Sequence, residues 1–350
     1  MSKKEIAENQ PRRCSGFFSD LVSILTSFPS MSLVTPKFPH VSSAVLGTVR
    51  LSLALSALLP SLAFSQGSPV TYKSQTGQTM TLVPWPGRNV SVLTQTSDRD
   101  PYTMKKLVAA LDKAYVIYER LTGAKPGPNP QGTLNGRDIV AEVPDPETSC
   151  SGAACSYLGT FGSEIGTTYF NQLYEGIRLH GEYNQAMFYE FGRTFWFYQD
   201  QVGQIDTFVT GFAIANRFIS LDRAGLKGGP FGEVSYSEMK NSILVDFLKS
   251  YLADASLNWR NTLLVNKAPP SSHEWSAADL AGSMIYRVYS DFGFAAYKRF
   301  WKSLGKQAAA QTPDDAIRNF LAAAKAATGR DYGFLFKDSY VKKLPAKNHD

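Results

Sequence analysis

The order of the predicted secondary structure limits the fold more than any other property of this sequence. Residues 66–98 alternate apolar and polar side chains or are β-branched, which predicts three strands with turns at 76–78 and 86–88. After residue 184, apolar residues recur three and four positions apart, which is typical of amphipathic helices. Because strands come first and helices follow, we predict an α+β fold and not alternating β-α-β units.

One helix, one strand and one long loop are predicted between these regions. Asp100 suits an N-cap and Pro101 a first helical position, and the helix should end at Gly123. A strand is predicted at 138–143, and residues 144–183, rich in Gly, Ser and Tyr, are predicted to form a loop with one edge strand. The predicted buried face of the helix consists of Leu107, Leu111, Ala114, Val116, Ile117 and Leu121.

The C-terminal part is predicted to be mainly helical. Two subdomains follow from this change of pattern, a β-rich one at 66–183 and a helical one at 184–345. In the predicted helix at 277–301, the apolar spacing predicts burial of Leu280, Met284, Val288, Phe292, Ala295 and Phe300. The predicted helices span 184–199, 207–221, 237–253, 277–301 and 313–327.

The first 65 residues have the pattern of an export leader. An uncharged stretch at 51–64 follows Arg50 and ends in a small-x-small cleavage pattern at 63–65. It is too short to span a bilayer easily, so we expect no stable membrane span after cleavage, and a retained anchor is the alternative. Initiation at Met31 would shorten the leader to an ordinary length. The predicted location is outside the cell, in the periplasm or at the cell envelope.

The charge of the chain argues against a nucleic-acid partner. Its formal charge is +6, but six of the 36 basic and three of the 30 acidic residues lie in the leader, which leaves +3. That surplus is small, and no basic run able to follow a phosphate backbone occurs after residue 65. The composition does not fix an oligomeric state.

Two cysteines remain after the leader. Four residues lie between Cys150 and Cys155, and Gly152 among them permits a tight turn. Two cysteines in an exported chain usually pair, so we predict a disulfide. A metal site is the alternative, but no further Cys or His lies near them in the sequence.

The predicted helix at 184–199 contains the sequence that bears most directly on function. The active-site helix of a zinc-dependent hydrolase carries the sequence H-E-x-x-H. The two imidazoles lie on one face of the helix and hold zinc, and the Glu acts as general base. Here Glu190 stands at the base position, and Gly192 follows as a small residue. The two ligand positions are filled by Tyr189 and Arg193, and Trp196 follows as part of an aromatic run.

This segment resembles the active-site helix of the gluzincin metallopeptidases. It is most similar to the enhancin-like and mucin-degrading peptidases and to the basic secretory proteins, and the similarity extends over about residues 155–340. The resemblance implies a zincin-like fold, with a glutamate ligand on the next helix. Gly211 falls close to that glutamate's place, and the nearest acids are Asp206 and Asp222. Residues 291–304 and 312–336 are similar to the closing helices of that group.

The departures from that family bear on its chemistry. Arg cannot coordinate zinc because its guanidinium stays protonated, and Tyr is a rare zinc ligand. We therefore predict no metal site and no cofactor. Arg193 lies three residues after Glu190, a spacing at which helical side chains can pair. The pair could be structural, the face of Tyr189, Glu190 and Arg193 could bind a ligand, or Glu190 could still act in catalysis.

Two further residues are candidates for a binding surface. His180 precedes the motif helix by nine residues and could reach the same cleft. Trp196 belongs to four consecutive aromatic residues, which would point to all sides of a helix. Core packing is the ordinary alternative for such a run. The predicted binding residues are thus Tyr189, Arg193, Trp196 and His180.

These inferences predict a secreted metallopeptidase-like protein without zinc ligands, which binds a peptide or glycan in the former active-site cleft and does not catalyse hydrolysis. One alternative is an active hydrolase that uses Glu190 with an atypical metal or none. A second alternative is a structural envelope protein whose old cleft is filled by side chains.

Overall fold

The protein has a mixed β-sheet with helices packed against it. The computed structural model describes residues 66–148, 153–271 and 273–337. The predicted leader and Cys150 lie outside these residues. The strands are β1 (Val70–Lys73), β2 (Thr79–Pro86), β3 (Val90–Thr94), β4 (Thr133–Leu134), β5 (Arg137–Val143), β6 (Ala154–Ser156) and β7 (Ser163–Gly166).

The sheet has the strand order β1-β2-β3-β5-β7-β6, and β4 pairs with β5. Its first two pairings are antiparallel, whereas β3, β5 and β7 run parallel, with Val92 opposite Val140 and Val140 opposite Ser163. Strand β6 is antiparallel to β7 at the edge and places Cys155 opposite Glu164. The predicted strands are confirmed.

Helices fill the C-terminal part, and the α+β prediction is confirmed. The helices are α1 (Pro101–Thr122), α2 (Thr167–Glu175), α3 (Gln185–Arg193), α4 (Gln199–Val202), α5 (Thr207–Arg223), α6 (Tyr236–Asn241), α7 (Phe247–Ala253), α8 (Ala277–Leu304) and α9 (Pro313–Thr328). A π-helical segment at Gly176–His180 continues α2, and another at Ser242–Asp246 joins α6 to α7.

Helix α1 begins as predicted, but part of its predicted buried face is wrong. The Asp100 side chain accepts a hydrogen bond from Thr103 N, and Gly123 ends the helix in the left-handed conformation. Val116 and Ile117 are only half-buried, whereas Tyr115 and Tyr118 are buried. The apolar stripe continues at spacings of three and four through these tyrosines, which leaves Val116 and Ile117 beside it.

The prediction of a loop at 144–183 is wrong for its second half, where α2 forms. Tyr169, Phe170, Leu173 and Tyr174 are buried on one face, and Ile177 extends that face into the π-helical segment. The three- and four-residue spacing was present in the sequence. Neighbouring Gly, Ser and Thr residues concealed it.

Helix α3 ends at Arg193, six residues before its predicted end. Phe195 N donates to Gly192 O in a tight turn, so the four aromatic residues that follow are not on a helix. Three of them, Phe195, Trp196 and Tyr198, are buried. Four consecutive helical residues would point to all sides, so the turn lets more of these rings enter the core.

A kink at Gly293 changes the buried face of α8. Gly293 has a φ of 70°, a backbone angle that residues other than glycine rarely adopt. Before the kink the predicted face is confirmed, but Phe292 is 42% exposed and Ala295 is also exposed. After it, the core is filled by Ala296, Tyr297, Phe300 and Trp301.

The main hydrophobic core includes residues from both predicted subdomains. It runs from Trp85 in the sheet to Phe336 after α9. A smaller cluster of buried side chains surrounds Tyr189 and includes Ile214 of α5 and Leu244. Among the described residues, no helix combines the length and the apolar character needed to cross a membrane.

Candidate functional site

The motif helix α3 is buried on nearly all sides. Its N-cap is Asn184, whose side chain accepts a hydrogen bond from Ala186 N at 2.9 Å. All residues from Gln185 to Gly192 are buried. The helix packs against α1, where the Tyr118 hydroxyl donates to Phe188 O at 2.9 Å. The Tyr-Glu-Phe-Gly-Arg sequence therefore lies inside the protein.

Gly192 is the point of closest approach between α3 and α1. A Cβ atom at this position would lie 2.4 Å from the Tyr118 hydroxyl. Gly192→Ala is therefore expected to lower the free energy of unfolding by about 1–3 kcal/mol, as overpacked cores do. Urea unfolding of the purified variants measures this. Tyr118→Phe in the same chain should recover part of the loss, and an unchanged stability of Gly192→Ala would contradict the packing argument.

Arg193 contacts two side chains that lie about one helical turn before it, those of Tyr189 and Glu190. Its Nη1 group donates to the Tyr189 hydroxyl at 3.2 Å, and its Nε atom lies 3.8 Å from Glu190 Oε2. Both arginine contacts follow from helical spacings of four and three residues. The ion pair predicted from the sequence is thus present in the structure.

Glu190 is a buried carboxyl group with one cation beside it. Burial raises its pKa above the ordinary value, while Arg193 and a hydrogen bond from the Ser156 side chain lower it. Within the described part of the chain, no hydrogen bond reaches Glu190 Oε2. The contact with Arg193 at 3.8 Å is therefore mainly electrostatic, because it is too long for a hydrogen bond.

A second buried cation lies near the same tyrosine. Arg217 of α5 places its guanidinium carbon 5.7 Å from the centre of the Tyr189 ring, and Arg193 lies 5.9 Å from the same ring. Burial lowers the pKa of Arg217, and Asp279 of α8 raises it. Burial likewise raises the pKa of Asp279, and Arg217 lowers it. The Tyr189 ring thus lies near two guanidinium groups.

Arg217 and Asp279 were not predicted from the sequence. Arg217 is the one charged residue between positions 207 and 221 of a mainly apolar helix, and this is the signal that could have revealed it. Asp279 was concealed by its second role, because its carboxylate accepts hydrogen bonds from Ser276 in a capping box.

Gly211, the position suggested for a glutamate ligand, packs against another helix, α8. A Cβ atom on Gly211 would lie 2.8 Å from Ala281 Cβ, so this residue faces α8. Asp206 is exposed, and Asp222 binds Tyr236 and Lys240 at the surface. In the described ranges, no three His, Cys, Asp or Glu side chains cluster as metal ligands would. The expected lack of zinc stays a prediction.

Of the predicted binding residues, His180 lines a surface pocket. The pocket has a volume of about 200 Å³ and lies where the π-helical segment meets the start of α3 and a glycine-rich loop. The Tyr169 hydroxyl donates to Asn184 Oδ1 at 3.3 Å. Burial raises the pKa of Tyr169, while Arg217 lowers it and Glu190 raises it. The lining residues are Tyr169, Gln172, Leu173, Gly176, His180, Glu182, Asn184 and residues 229–232.

The other predicted binding residues lie in the interior. Tyr189 is buried in the smaller cluster, and Arg193 is largely buried beside it. Trp196 packs against the rings of Tyr198 and Phe212 and donates through Nε1 to Gln199. Their binding roles stay predictions. Cys155 is buried on β6, and its pairing with Cys150 also stays a prediction.

No protein-family model and no curated protein matches this sequence. Among solved structures, a functionally unknown conserved protein from Bacillus anthracis str. Ames matches with a TM-score of 0.47 and 10% identity, over 75% of this chain and 50% of that chain. A two-domain M1 zinc metallopeptidase mutant bound to L-tryptophan matches with a TM-score of 0.39 and 13% identity, over 81% of this chain and 53% of that chain.

A third solved structure is an M1 zinc metallopeptidase mutant from Deinococcus radiodurans. It matches with a TM-score of 0.38 and 14% identity, over 81% of this chain and 54% of that chain. The chain thus spans about half the length of the solved proteins it matches. The similarity to M1 zinc metallopeptidases is distant, and at these values it does not assign the chain to a family.

Proposed function

We propose that this chain is an exported metallopeptidase-like protein that binds a peptide or a glycan and does not catalyse hydrolysis. The observation that supports this best is the pairing of Glu190 with Arg193 inside the protein. A general base must reach the water that it activates. Glu190 is instead buried beside a fixed cation, in a helix with Tyr and Arg at the two ligand positions.

The surface pocket supports the binding part of the proposal. Ligand sites are typically concave, partly apolar and lined by a few convergent polar groups. Tyr169, Leu173 and Phe231 provide apolar surface here, and His180 and Asn184 provide polar groups. The pocket lies at the N-terminal end of the motif helix, where Asn184 is both its wall and the helix cap.

The purified protein is expected to lack stoichiometric zinc and to hydrolyse neither peptides nor glycosides. Elemental analysis together with a general protease and glycosidase screen measures this. Glu190→Gln keeps the shape of the side chain and is the matched variant, and it should leave all readings unchanged. Stoichiometric zinc together with hydrolysis, both lost in Glu190→Gln, would favour the active hydrolase.

Burial of two predicted binding residues favours a second candidate, a purely structural protein. Tyr189 and Trp196 fill the core instead of lining a cleft. Peptide and glycan arrays separate the two candidates, since a structural protein should bind neither. Mass spectrometry of the exported protein would show at the same time whether the chain begins near residue 66.

A further inference from the structure

The pocket beside α3 is small for a ligand site. Its volume of about 200 Å³ is below the 300–1,000 Å³ that is typical of sites for drug-sized ligands. Gly176, Gly229 and Gly232 form part of its wall. The volume suits one ring-sized group and excludes a folded partner or a long peptide segment.

The wall that carries His180 has an unusual backbone. Gly176–His180 is π-helical, and Gly181 ends it in the left-handed conformation. Single π-helical turns are rare and occur frequently at functional sites. This turn brings Gly176 and His180 to the same pocket, opposite the loop at 229–232.

The polar groups of the pocket can both donate and accept hydrogen bonds. Asn184 Oδ1 already accepts bonds from Tyr169 and Ala186, which leaves its amide group to donate. Gln172 carries a carbonyl and an amide, and neutral His180 has one donor and one acceptor nitrogen. Such a lining matches hydroxyl groups, which donate and accept in the same way.

The charge of the pocket is balanced without a ligand. Glu182 is its one carboxylate, and Lys227 pairs with it at 2.8 Å. A charged ligand would bring an unmatched charge, and a purely apolar one would remove polar groups from water without replacing their hydrogen bonds.

We infer that this pocket binds one neutral sugar residue, whose apolar ring face packs on Phe231 while its hydroxyls bond to Gln172, His180 and Asn184. The inference rests on the proposed function and narrows it from a peptide or glycan to a glycan read one residue at a time. A single ring offers few atoms for contact, so the dissociation constant should be on the order of 1 mM.

Ligand-observed NMR and calorimetry on the exported chain test this inference. The probes are glucose, galactose, mannose and N-acetylglucosamine, with glucosamine and glucuronic acid as charged analogues and capped tripeptides as the peptide set. A neutral sugar should bind better than its charged analogue, and its affinity should not change with salt. His180→Ala with Gln172→Ala should weaken it about tenfold or more.

Leu179→Ala is the matched control, because Leu179 is exposed beside His180 but does not line the pocket. It should leave the affinity unchanged. Stronger binding of a charged sugar, or equal loss in the control, would overturn the inference. If capped tripeptides bind and sugars do not, the inference fails but the proposed function stands. If neither class binds, both fail.

Discussion

Replacing Arg193 with methionine is expected to lower the free energy of unfolding by about 3–5 kcal/mol, the range found when one partner of a buried ion pair is removed. Methionine keeps much of the apolar stem, so the loss comes mainly from the missing charge. The Arg193 and Glu190 side chains are 12% and 5% exposed, so water cannot replace the guanidinium. Urea unfolding followed by circular dichroism measures the change.

The pH dependence of this loss has a definite sign. Burial raises the pKa of Glu190 and Arg193 lowers it, so removing Arg193 should raise that pKa further. A carboxyl with a raised folded-state pKa stabilises the fold while it is protonated. This contribution is lost as the pH rises from the unfolded-state value, near 4.5, through the folded-state one. The loss in Arg193→Met should therefore be largest at neutral pH.

Arg178→Met provides the matched control for this prediction. Arg178 and Glu175 form a pair with the same three-residue spacing, but their side chains are 46% and 43% exposed. Its removal should change the free energy of unfolding little, because solvent screens an exposed ion pair. Adding Glu190→Gln to Arg193→Met should recover stability. A similar small change in both single variants would mean that solvent reaches Glu190.

Arg217→Met is expected to lower the free energy of unfolding by about 1–3 kcal/mol, because it leaves the buried Asp279 carboxyl without the cation that lowers its pKa. Arg217 is 6% exposed and Asp279 is fully buried. The loss should again grow as the pH rises, since burial raises the pKa of Asp279 and Arg217 lowers it. Chemical unfolding at several pH values measures both quantities.

Arg223→Met on the same helix is the control, because Arg223 is exposed and lies over the Phe294 ring. It should change the free energy of unfolding by about 1 kcal/mol or less. Asp279→Asn keeps an oxygen that can accept the Ser276 bonds, and combined with Arg217→Met it should recover part of the loss. An Arg217→Met variant no less stable than Arg223→Met would contradict this electrostatic role of Arg217.

Local sequence signals predicted most of the fold. The strands followed from alternation, and the start of α1 followed from its Asp100 cap. The early end of α3 could not be read in this way, because it depends on how Phe195 and Trp196 enter the core. The kink at Gly293 could not be read either, because a glycine inside an apolar pattern does not reveal its φ angle.

The candidate site divides along the same line. The Glu190 and Arg193 contact was predictable because a spacing of three on one helix fixes which side chains are neighbours. The position of Arg217 depends on how α5 packs between α3 and α8, and no periodic pattern encodes that. His180 and Trp196 were equally plausible as binding residues. The structure separates them, since one lines the pocket and the other lies in the core.

The burial of α3 also affects how the protein can fold. With nine residues, α3 is shorter than the roughly 12–15 that isolated helices need for even marginal stability in water. Its main contacts are with α5, and it also contacts β6 and α1, which lies about 70 residues earlier in the chain. The motif helix therefore cannot exist before its surroundings assemble. Its formation must coincide with the cooperative folding of the whole core, and a fragment ending before α5 would not retain it.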